Sequence, residues 1–178
     1  MKLSTHKLTY CALFAALTAI LSQIAIPLPF TPIMINLALL SVFVSAGILG
    51  KTAGTVCQLV YVGLGVIGLP VFANFSGGIG VLAGPTGGYI IGYIVAAFVI
   101  GLLCDTFKNT FVNNVLFIIA GLALCYTFGT AWFVISAHVG IAQALVMCVL
   151  PFLVGDAIKI CVAAFLIKTL KNKLLKNI

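Results

Sequence analysis

Pro151-Phe-Leu-Val-Gly-Asp156-Ala-Ile-Lys159 contains the only acid and the only base that lie deep inside an apolar segment of this chain. On a helix, the spacing of Asp156 and Lys159 places both side chains on one face, one turn apart. Charged groups inside a bilayer are costly and are kept there by pairing, by water or by a ligand. The pair is therefore a candidate functional site, and the surrounding chain provides its environment.

The overall composition indicates an integral membrane protein. The 178 residues are 63% hydrophobic and only 6% charged, whereas a soluble domain exposes far more polar surface. The net charge of +7 does not indicate nucleic acid binding, because the nine lysines lie between or after apolar segments and form no basic face. The six cysteines lack the spacing of metal ligands, so we expect packing residues and no metal site.

Prolines, glycines and lysines divide the chain into six predicted membrane-spanning helices. Each segment is apolar over a length suited to a hydrocarbon core of ~30 Å. The prolines and glycines between the segments interrupt regular helix. The predicted spans, all within a single membrane domain of residues 1–178, are residues 8–26, 33–50, 53–69, 85–104, 115–135 and 142–167, with the last one kinked at Pro151.

The lysines predict the orientation of these spans. Eight of the nine fall on the side that holds both termini, and the other side receives none. The positive-inside rule therefore places the N and C termini in the cytoplasm. The ninth lysine, Lys159, lies inside the sixth span, where this rule does not explain it. The predicted fold class is an all-α membrane protein.

Two loops on the predicted outer side have an unusual composition. Residues 26–32 contain three prolines, and residues 77–88 contain six glycines. Uncharged, conformationally special loops above a buried ion pair suggest a lid over a small-molecule pocket. The Tyr89 hydroxyl, just below the second loop, is either a ligand contact or an anchor at the lipid interface. Residues 126–133 fit an aromatic belt or a pocket wall.

Three functions remain open from these residues alone. The Asp156–Lys159 pair could bind a ligand, could only set helix packing, or could conduct ions or protons. The other spans offer no further acids or histidines for a proton path. A catalytic triad and a carboxylate pair are absent, and Gly50-Lys51-Thr52 lacks the earlier glycine of a phosphate-binding loop, so we expect neither an enzyme nor a nucleotide site.

A face of small residues lies on the first predicted span. Ala12, Ala15, Ala16 and Ala19 give two overlapping small-x-x-x-small spacings. Such a face allows another helix to approach closely. The approaching helix could belong to this chain or to a partner membrane subunit, and the sequence favours neither.

Five stretches, in order and with similar spacing, resemble the BioY family, the biotin-binding S components of energy-coupling-factor (ECF) transporters. The resemblance extends from the first predicted helix to the last. The stretches are Ala12-Leu-Phe-Ala-Ala16, Ile26-Pro-Leu-Pro-Phe-Thr-Pro32, Gly65-Val-Ile-Gly-Leu-Pro-Val-Phe72, Gly77-Gly-Ile-Gly-Val-Leu-Ala-Gly-Pro-Thr-Gly-Gly-Tyr89 and Pro151-Phe-Leu-Val-Gly-Asp156-Ala-Ile-Lys159.

The resemblance implies a six-helix S-component fold in a prokaryotic cell membrane. It implies high-affinity capture of biotin from outside, with no cofactor on this chain. The implied partners are one membrane coupling subunit and two ATPase subunits. By the same resemblance, Asp156 and Lys159 line the substrate site, the proline turn and the glycine loop form its gate, and the alanine face meets the coupling subunit.

The chemistry of biotin suits the ion pair independently. Its ureido ring offers two N–H donors to Asp156 and one carbonyl acceptor to Lys159, although the reversed pose, with Lys159 on the biotin carboxylate, stays open. Where the family usually has proline, threonine and glutamine, this chain has Met34, Asn36 and Ala38, so Asn36 is the candidate polar contact from the second helix. The other predicted contacts are Tyr89, Asn74, Ser76, Gly77, Thr86, Phe30 and Thr31.

Overall fold

The computed structural model describes residues 5–175, which are mostly helical. Seven α-helices and one antiparallel hairpin follow each other along these residues, with short 3₁₀ turns at Ala73–Phe75 and Leu150–Phe152. The elements are α1 Thr5–Gln23, β1 Ala25–Leu28, β2 Thr31–Asn36, α2 Ala38–Val66, α3 Ile79–Ala83, α4 Gly87–Thr106, α5 Phe111–Ala137, α6 Ile141–Cys148 and α7 Leu153–Leu175.

Four helical segments among the described residues are long and apolar enough to cross a membrane. They are Ala38–Val66, Gly87–Thr106, Phe111–Ala137 and Ile141–Lys171. Many of their large apolar side chains point outward, as expected for surfaces that face lipid. The chain is thus a multi-pass membrane protein.

A β-hairpin replaces the beginning of the predicted second span. Residues 33–36 belong to β2, which pairs with β1 in the register Ala25 with Asn36, Ile26 with Ile35 and Leu28 with Thr31. Prolines on both strands disfavour helix, and the pairing of the two strands satisfies the backbone groups that helix would otherwise satisfy. Helix α2 therefore begins only at Ala38.

Helix α2 reverses direction at Gly50, where φ is 78° and ψ is −178°. The Gln58 side-chain amide donates to the Ser45 hydroxyl at 3.1 Å, and Gly54 lies against the backbone of Ala46. Residues 13 positions apart on a straight helix would be about 20 Å apart. The two halves of α2 therefore pack against each other as an antiparallel helical hairpin.

The Asp105 side chain stabilises the reversal in α2. Its Oδ2 accepts from the Lys51 backbone N–H at 2.9 Å, which satisfies one of the amides that the break leaves without a helical partner. Lys171 on α7 approaches Asp105 Oδ1 at 3.8 Å and donates to the Cys104 carbonyl at 2.7 Å. Helices α2, α4 and α7 are thereby joined at this end of the molecule.

Gly50→Ala is expected to destabilise the protein by about 3 kcal/mol, because this φ/ψ region is essentially restricted to glycine. An added Cβ would also lie 2.5 Å from Asp105 Oδ1. The measurement is the thermal unfolding midpoint of the purified protein in detergent. The matched control is Gly63→Ala on the same helix, where an added Cβ meets nothing within 4 Å. Equal midpoints for the two variants would contradict this account of the reversal.

Helix α4 lies at the centre of the helix packing, with α2 on one side and α5 on the other. Glycines allow close approach at the crossings: Gly101 faces the backbone of Lys51 on α2, and Gly92 faces Cys125 on α5. Small residues at such contacts are typical of membrane helices, where packing rather than hydrophobic exclusion drives association. This arrangement sets the positions of the tyrosines on α4.

The predicted sixth span consists of two helices separated by a 3₁₀ turn. Helix α6 ends at Cys148, the turn contains Pro151, and α7 begins at Leu153. Asp156 therefore lies in the first turn of α7, near the middle of the apolar segment Ile141–Lys171. A carboxylate in the first turn interacts favourably with the helix dipole.

Candidate binding cavity

A cavity of about 350 Å³ lies between the hairpin, the loops that precede α3 and α4, and helices α2, α4, α5 and α7. This volume is within the usual range for small-molecule sites. Aromatic and aliphatic side chains form most of its wall, with a few polar groups among them. The lining residues are Pro32, Ile33, Met34, Asn36, Leu39, Tyr61, Phe72, Ala73, Asn74, Ser76, Val81, Gly84, Pro85, Thr86, Tyr89, Ile90, Tyr93, Tyr126, Cys148, Phe152, Asp156 and Lys159.

Asp156 and Lys159 form an ion pair in the cavity wall. Lys159 Nζ lies 2.8 Å from Asp156 Oδ1, and the two residues are 6% and 1% exposed respectively. Both belong to the buried stripe of α7, which continues through Ile160 and Ala163. The sequence-based expectation that the two side chains share one helix face is thus confirmed.

Tyr126 on α5 is a second partner of the carboxylate. Its hydroxyl donates a short hydrogen bond to Asp156 Oδ2, so each carboxylate oxygen has one protein donor. Hydrogen bonding of both oxygens offsets part of the cost of burying the charge. Nothing in the local sequence connects Tyr126 to Asp156, which lies 30 residues further along the chain. The packing of α5 against α7 brings them together.

Lys159 keeps hydrogen-bonding capacity for a ligand. An ammonium group has three N–H donors. Among residues 5–175, Asp156 is the one hydrogen-bond acceptor of Lys159, so two N–H groups are available at the cavity wall. The Asp156 oxygens likewise have further lone pairs. The site can therefore donate to a carbonyl and accept from N–H groups within one turn of helix.

Tyrosines and phenylalanines form the apolar wall. Tyr89 on α4 lies edge-on to Tyr126, with ring centroids 6.5 Å apart, and its hydroxyl is 3.1 Å from Thr130 Oγ1. The absence of a side chain at Gly129 leaves room for the Tyr89 ring. Tyr61 on α2 packs edge-on against Phe72 at 5.6 Å. These contacts hold the rings in place, so the apolar part of the cavity is largely preformed.

Seven of the ten ligand contacts predicted from the sequence line this cavity. The pair and Tyr89 lie on helices. Asn36 lies at the end of β2. Its Oδ1 accepts a hydrogen bond at 3.1 Å from the backbone N–H of Ala38, the first residue of α2. The members of the group are Asn36, Asn74, Ser76, Thr86, Tyr89, Asp156 and Lys159.

The structure does not bring Phe30, Thr31 and Gly77 to the cavity wall. Phe30 is 53% exposed at the tip of the hairpin. The Thr31 hydroxyl accepts from the Ile33 backbone N–H at 3.2 Å and supports the hairpin locally. Gly77 lies against the Leu69 carbonyl, where a side chain would not fit. Neighbouring residues in the chain line the cavity in their place, namely Pro32 after the hairpin tip and Ser76 before Gly77.

Five aromatic wall residues were not among the ligand contacts predicted from the sequence. One of them, Tyr126, belongs to residues 126–133, which fitted an aromatic belt or a pocket wall. Tyr61, Phe72 and Phe152 lie in apolar stretches where any aromatic residue is ordinary core. Tyr93 carried a weak signal, because it follows Tyr89 by one helical turn. Their shared position around one cavity results from packing between helices that are distant in sequence.

The structure combines membrane helices with a preformed apolar cavity, and the ion pair in the cavity wall can both donate and accept hydrogen bonds. These features define the class of membrane substrate-binding proteins. The BioY family model matches residues 1–176. This chain belongs to the BioY family.

Curated relatives match over nearly their whole length. The chain is 43% identical to "Biotin transporter BioY" of Thermotoga maritima over 94% of this chain and 96% of that protein. It is 34% identical to "Probable biotin transporter BioY" of Pyrococcus horikoshii over 96% and 99%, and 35% identical to "Biotin transporter BioY" of Rhizobium etli over 92% of each. Family membership makes this chain a transport protein and not an enzyme, as its sequence predicts.

A solved structure has the same fold. The match is to the S-component for biotin from an ECF-type ABC transporter, with a TM-score of 0.88 and 26% identity, covering 96% of this chain and 95% of the other. The fold of this chain is therefore the S-component fold, which confirms that part of the predicted fold class.

Proposed function

We propose that this chain binds biotin with high affinity from the extracellular side and delivers it into the cell as the substrate-binding subunit of an ECF transporter. One observation supports this above all. The buried pair of Asp156 and Lys159 presents both an acceptor and free donors to a cavity with aromatic walls. The names of the relatives point to the same ligand.

The ureido ring of biotin occupies the polar end of the cavity in this proposal. Asp156 accepts from a ureido N–H, and Lys159 donates to the ureido oxygen. The thioether ring and alkyl chain lie among the aromatic side chains. The biotin carboxylate then reaches the polar groups of the loops, namely Asn74, Ser76 and Thr86. Biotin is the cargo, and no cofactor or metal takes part.

The decisive experiment is equilibrium binding of labelled biotin to the purified, folded protein in detergent. We expect one saturable site per chain, from which excess unlabelled biotin displaces the label. A folded sample without saturable biotin binding would contradict the proposed function.

We also propose six membrane crossings with both termini in the cytoplasm of a prokaryotic cell. The fold-back at Gly50 supports two crossings from α2, and α1, α4, α5 and the α6–α7 segment supply the others. The distribution of lysines supports the orientation, because eight of nine fall on one side of this arrangement. The cavity then opens toward the outer side, where the hairpin lies.

The proposed partners are one membrane coupling subunit and two ATPase subunits. The alanine face of α1 is the proposed contact with the coupling subunit. Ala12 and Ala16, one turn apart, are exposed, whereas Ala15 is buried within the chain and Ala19 is half-buried. Two exposed alanines at this spacing allow a partner helix to approach closely.

Ala16→Trp is expected to reduce recovery of the complex with the coupling and ATPase subunits by tenfold or more, because a bulky ring prevents close helix contact. Biotin binding by the isolated chain should be unchanged, since Ala16 lies outside the cavity wall. The measurement is co-purification from cells that express all subunits.

The matched control is Ala123→Trp, at an exposed alanine on α5. This control should leave the complex intact. Normal recovery with Ala16→Trp, or equal losses with both variants, would contradict docking on this face.

A further inference from the structure

The turn from Phe72 to Ser76 brings Asn74 and Ser76 to the cavity wall. The Phe72 N–H donates to the Ser76 carbonyl at 3.0 Å, which closes the turn. Two consecutive residues inside it, Asn74 and Phe75, have left-handed backbone angles, with φ of 58° and 53°. Glycine adopts such angles readily, but a bulky residue such as Phe75 does so only when its surroundings enforce them.

The end of α1 supplies those surroundings. Gln23 Oε1 accepts from the Phe75 backbone N–H at 2.8 Å, and Gln23 Nε2 donates to the Phe72 carbonyl at 3.1 Å. The preceding residue, Ser22, donates from its hydroxyl to the Val71 carbonyl at 2.6 Å. One side-chain amide thus bonds to the turn on both sides of Asn74, across about 50 residues of sequence.

Gln23 itself is held in one orientation. Its Nε2 also lies 3.1 Å from the Ala19 carbonyl and 3.0 Å from the Ser22 hydroxyl. These contacts identify which end of the amide is nitrogen and leave Oε1 directed at Phe75. Gln23 is half-buried and does not line the cavity.

A second anchor holds the start of the turn but not its strained part. The Phe72 ring is 2% exposed, and it packs on Tyr61 in space left by Gly65. This contact places Phe72 but leaves the angles of Asn74 and Phe75 undetermined. The hydrogen bond from the Phe75 amide to Gln23 acts directly on that part.

We propose that Gln23 is a positioning residue for substrate binding: it holds the Phe72–Ser76 turn in its strained conformation and so presents Asn74 to the ligand. The proposal rests on the proposed function, since it takes biotin to be the ligand. A loop held in its binding conformation before the ligand arrives costs less entropy to order on binding. Loss of the two hydrogen bonds lowers the fraction of protein that is ready to bind.

Gln23→Met is the primary test, because methionine has a similar length and no hydrogen-bonding amide. We expect biotin affinity to fall about tenfold, because a smaller fraction of the protein is ready to bind. In the ligand-free protein, amide hydrogen exchange in residues 72–76 should accelerate about tenfold, while exchange in α4 is unchanged. Unchanged affinity together with unchanged exchange would overturn the proposal.

Gln23→Glu provides a partial rescue. It keeps an oxygen acceptor for the Phe75 N–H but loses the donor to the Phe72 carbonyl. We expect its affinity and its exchange rates to lie between those of the wild type and Gln23→Met. If the Glu variant is as impaired as the Met variant, the hydrogen bond to Phe75 is not what positions the turn.

Gln143→Met is the matched control, since Gln143 is exposed on α6 and does not line the cavity. It should behave as the wild type in both measurements. The exchange measurement needs no ligand. A wild-type protein without biotin binding would therefore overturn the proposed function, whereas the exchange rates would still decide whether Gln23 holds the turn.

Discussion

Asp156→Asn is expected to weaken biotin binding by about 2–5 kcal/mol, which is roughly 30-fold to 4,000-fold in Kd. The carboxylate is 1% exposed, so water does not replace the interaction that is lost. Asparagine keeps the size of the side chain but removes the negative charge that strengthens a hydrogen bond from the ureido N–H. Its amide also presents N–H donors toward Lys159 or Tyr126, which are donors themselves.

The measurement is equilibrium binding of biotin, made together with the thermal unfolding midpoint of the same preparation. Asp105→Asn is the matched control, because Asp105 is the only other acid in the sequence. It lies outside the cavity wall, beside the reversal in α2. Asp105→Asn is expected to alter the unfolding midpoint with little effect on Kd. Unchanged biotin affinity in a folded Asp156→Asn variant would show that the ion pair has a purely structural role.

Lys159→Met is expected to cost a similar 2–5 kcal/mol in biotin binding. The substitution keeps an unbranched side chain of comparable length, so the wall of the cavity stays filled. It removes the donors available to the ureido oxygen and leaves Asp156 with Tyr126 as its one remaining described donor. An ionised carboxylate buried without its cation is costly, so the variant is also expected to unfold at a lower temperature.

The control for Lys159→Met is Lys168→Met, at an exposed position on the same helix. That variant should bind biotin as the wild type does. Comparison of biotin with its carboxamide then tests the pose. If Lys159 holds the ureido oxygen, the loss is the same for both ligands. A loss confined to biotin itself would show instead that Lys159 holds the carboxylate.

Local sequence was sufficient to predict the helical membrane class and the geometry of the ion pair. A helix places positions three apart on one face, so the shared face of Asp156 and Lys159 followed from their spacing, and the two side chains are in contact in the structure. The proline turn and the glycine loop were likewise recognisable, because those residues prevent regular helix wherever they occur.

Boundaries were predicted less well where tertiary contacts compete with local preference. Residues 33–36 are apolar enough to extend a membrane helix, but pairing with β1 draws them into a strand. Pro151 predicted a kink within one helix. In the structure α6 ends before Pro151, a 3₁₀ turn follows, and a separate helix, α7, begins at Leu153. This break is what places Asp156 in a first helical turn.

By itself, the sequence of this chain determined that it is a membrane protein with a paired acid and base on one face of its last helix, because composition and helical spacing act locally. Only the tertiary structure decided what surrounds that pair. Tyr126 reaches the carboxylate from another helix, and Gln23 reaches the Phe72–Ser76 turn from the end of α1. These partners are 30 and about 50 residues away, and no local rule relates residues at such distances. Helix packing brings these residues together and forms the cavity between the helices.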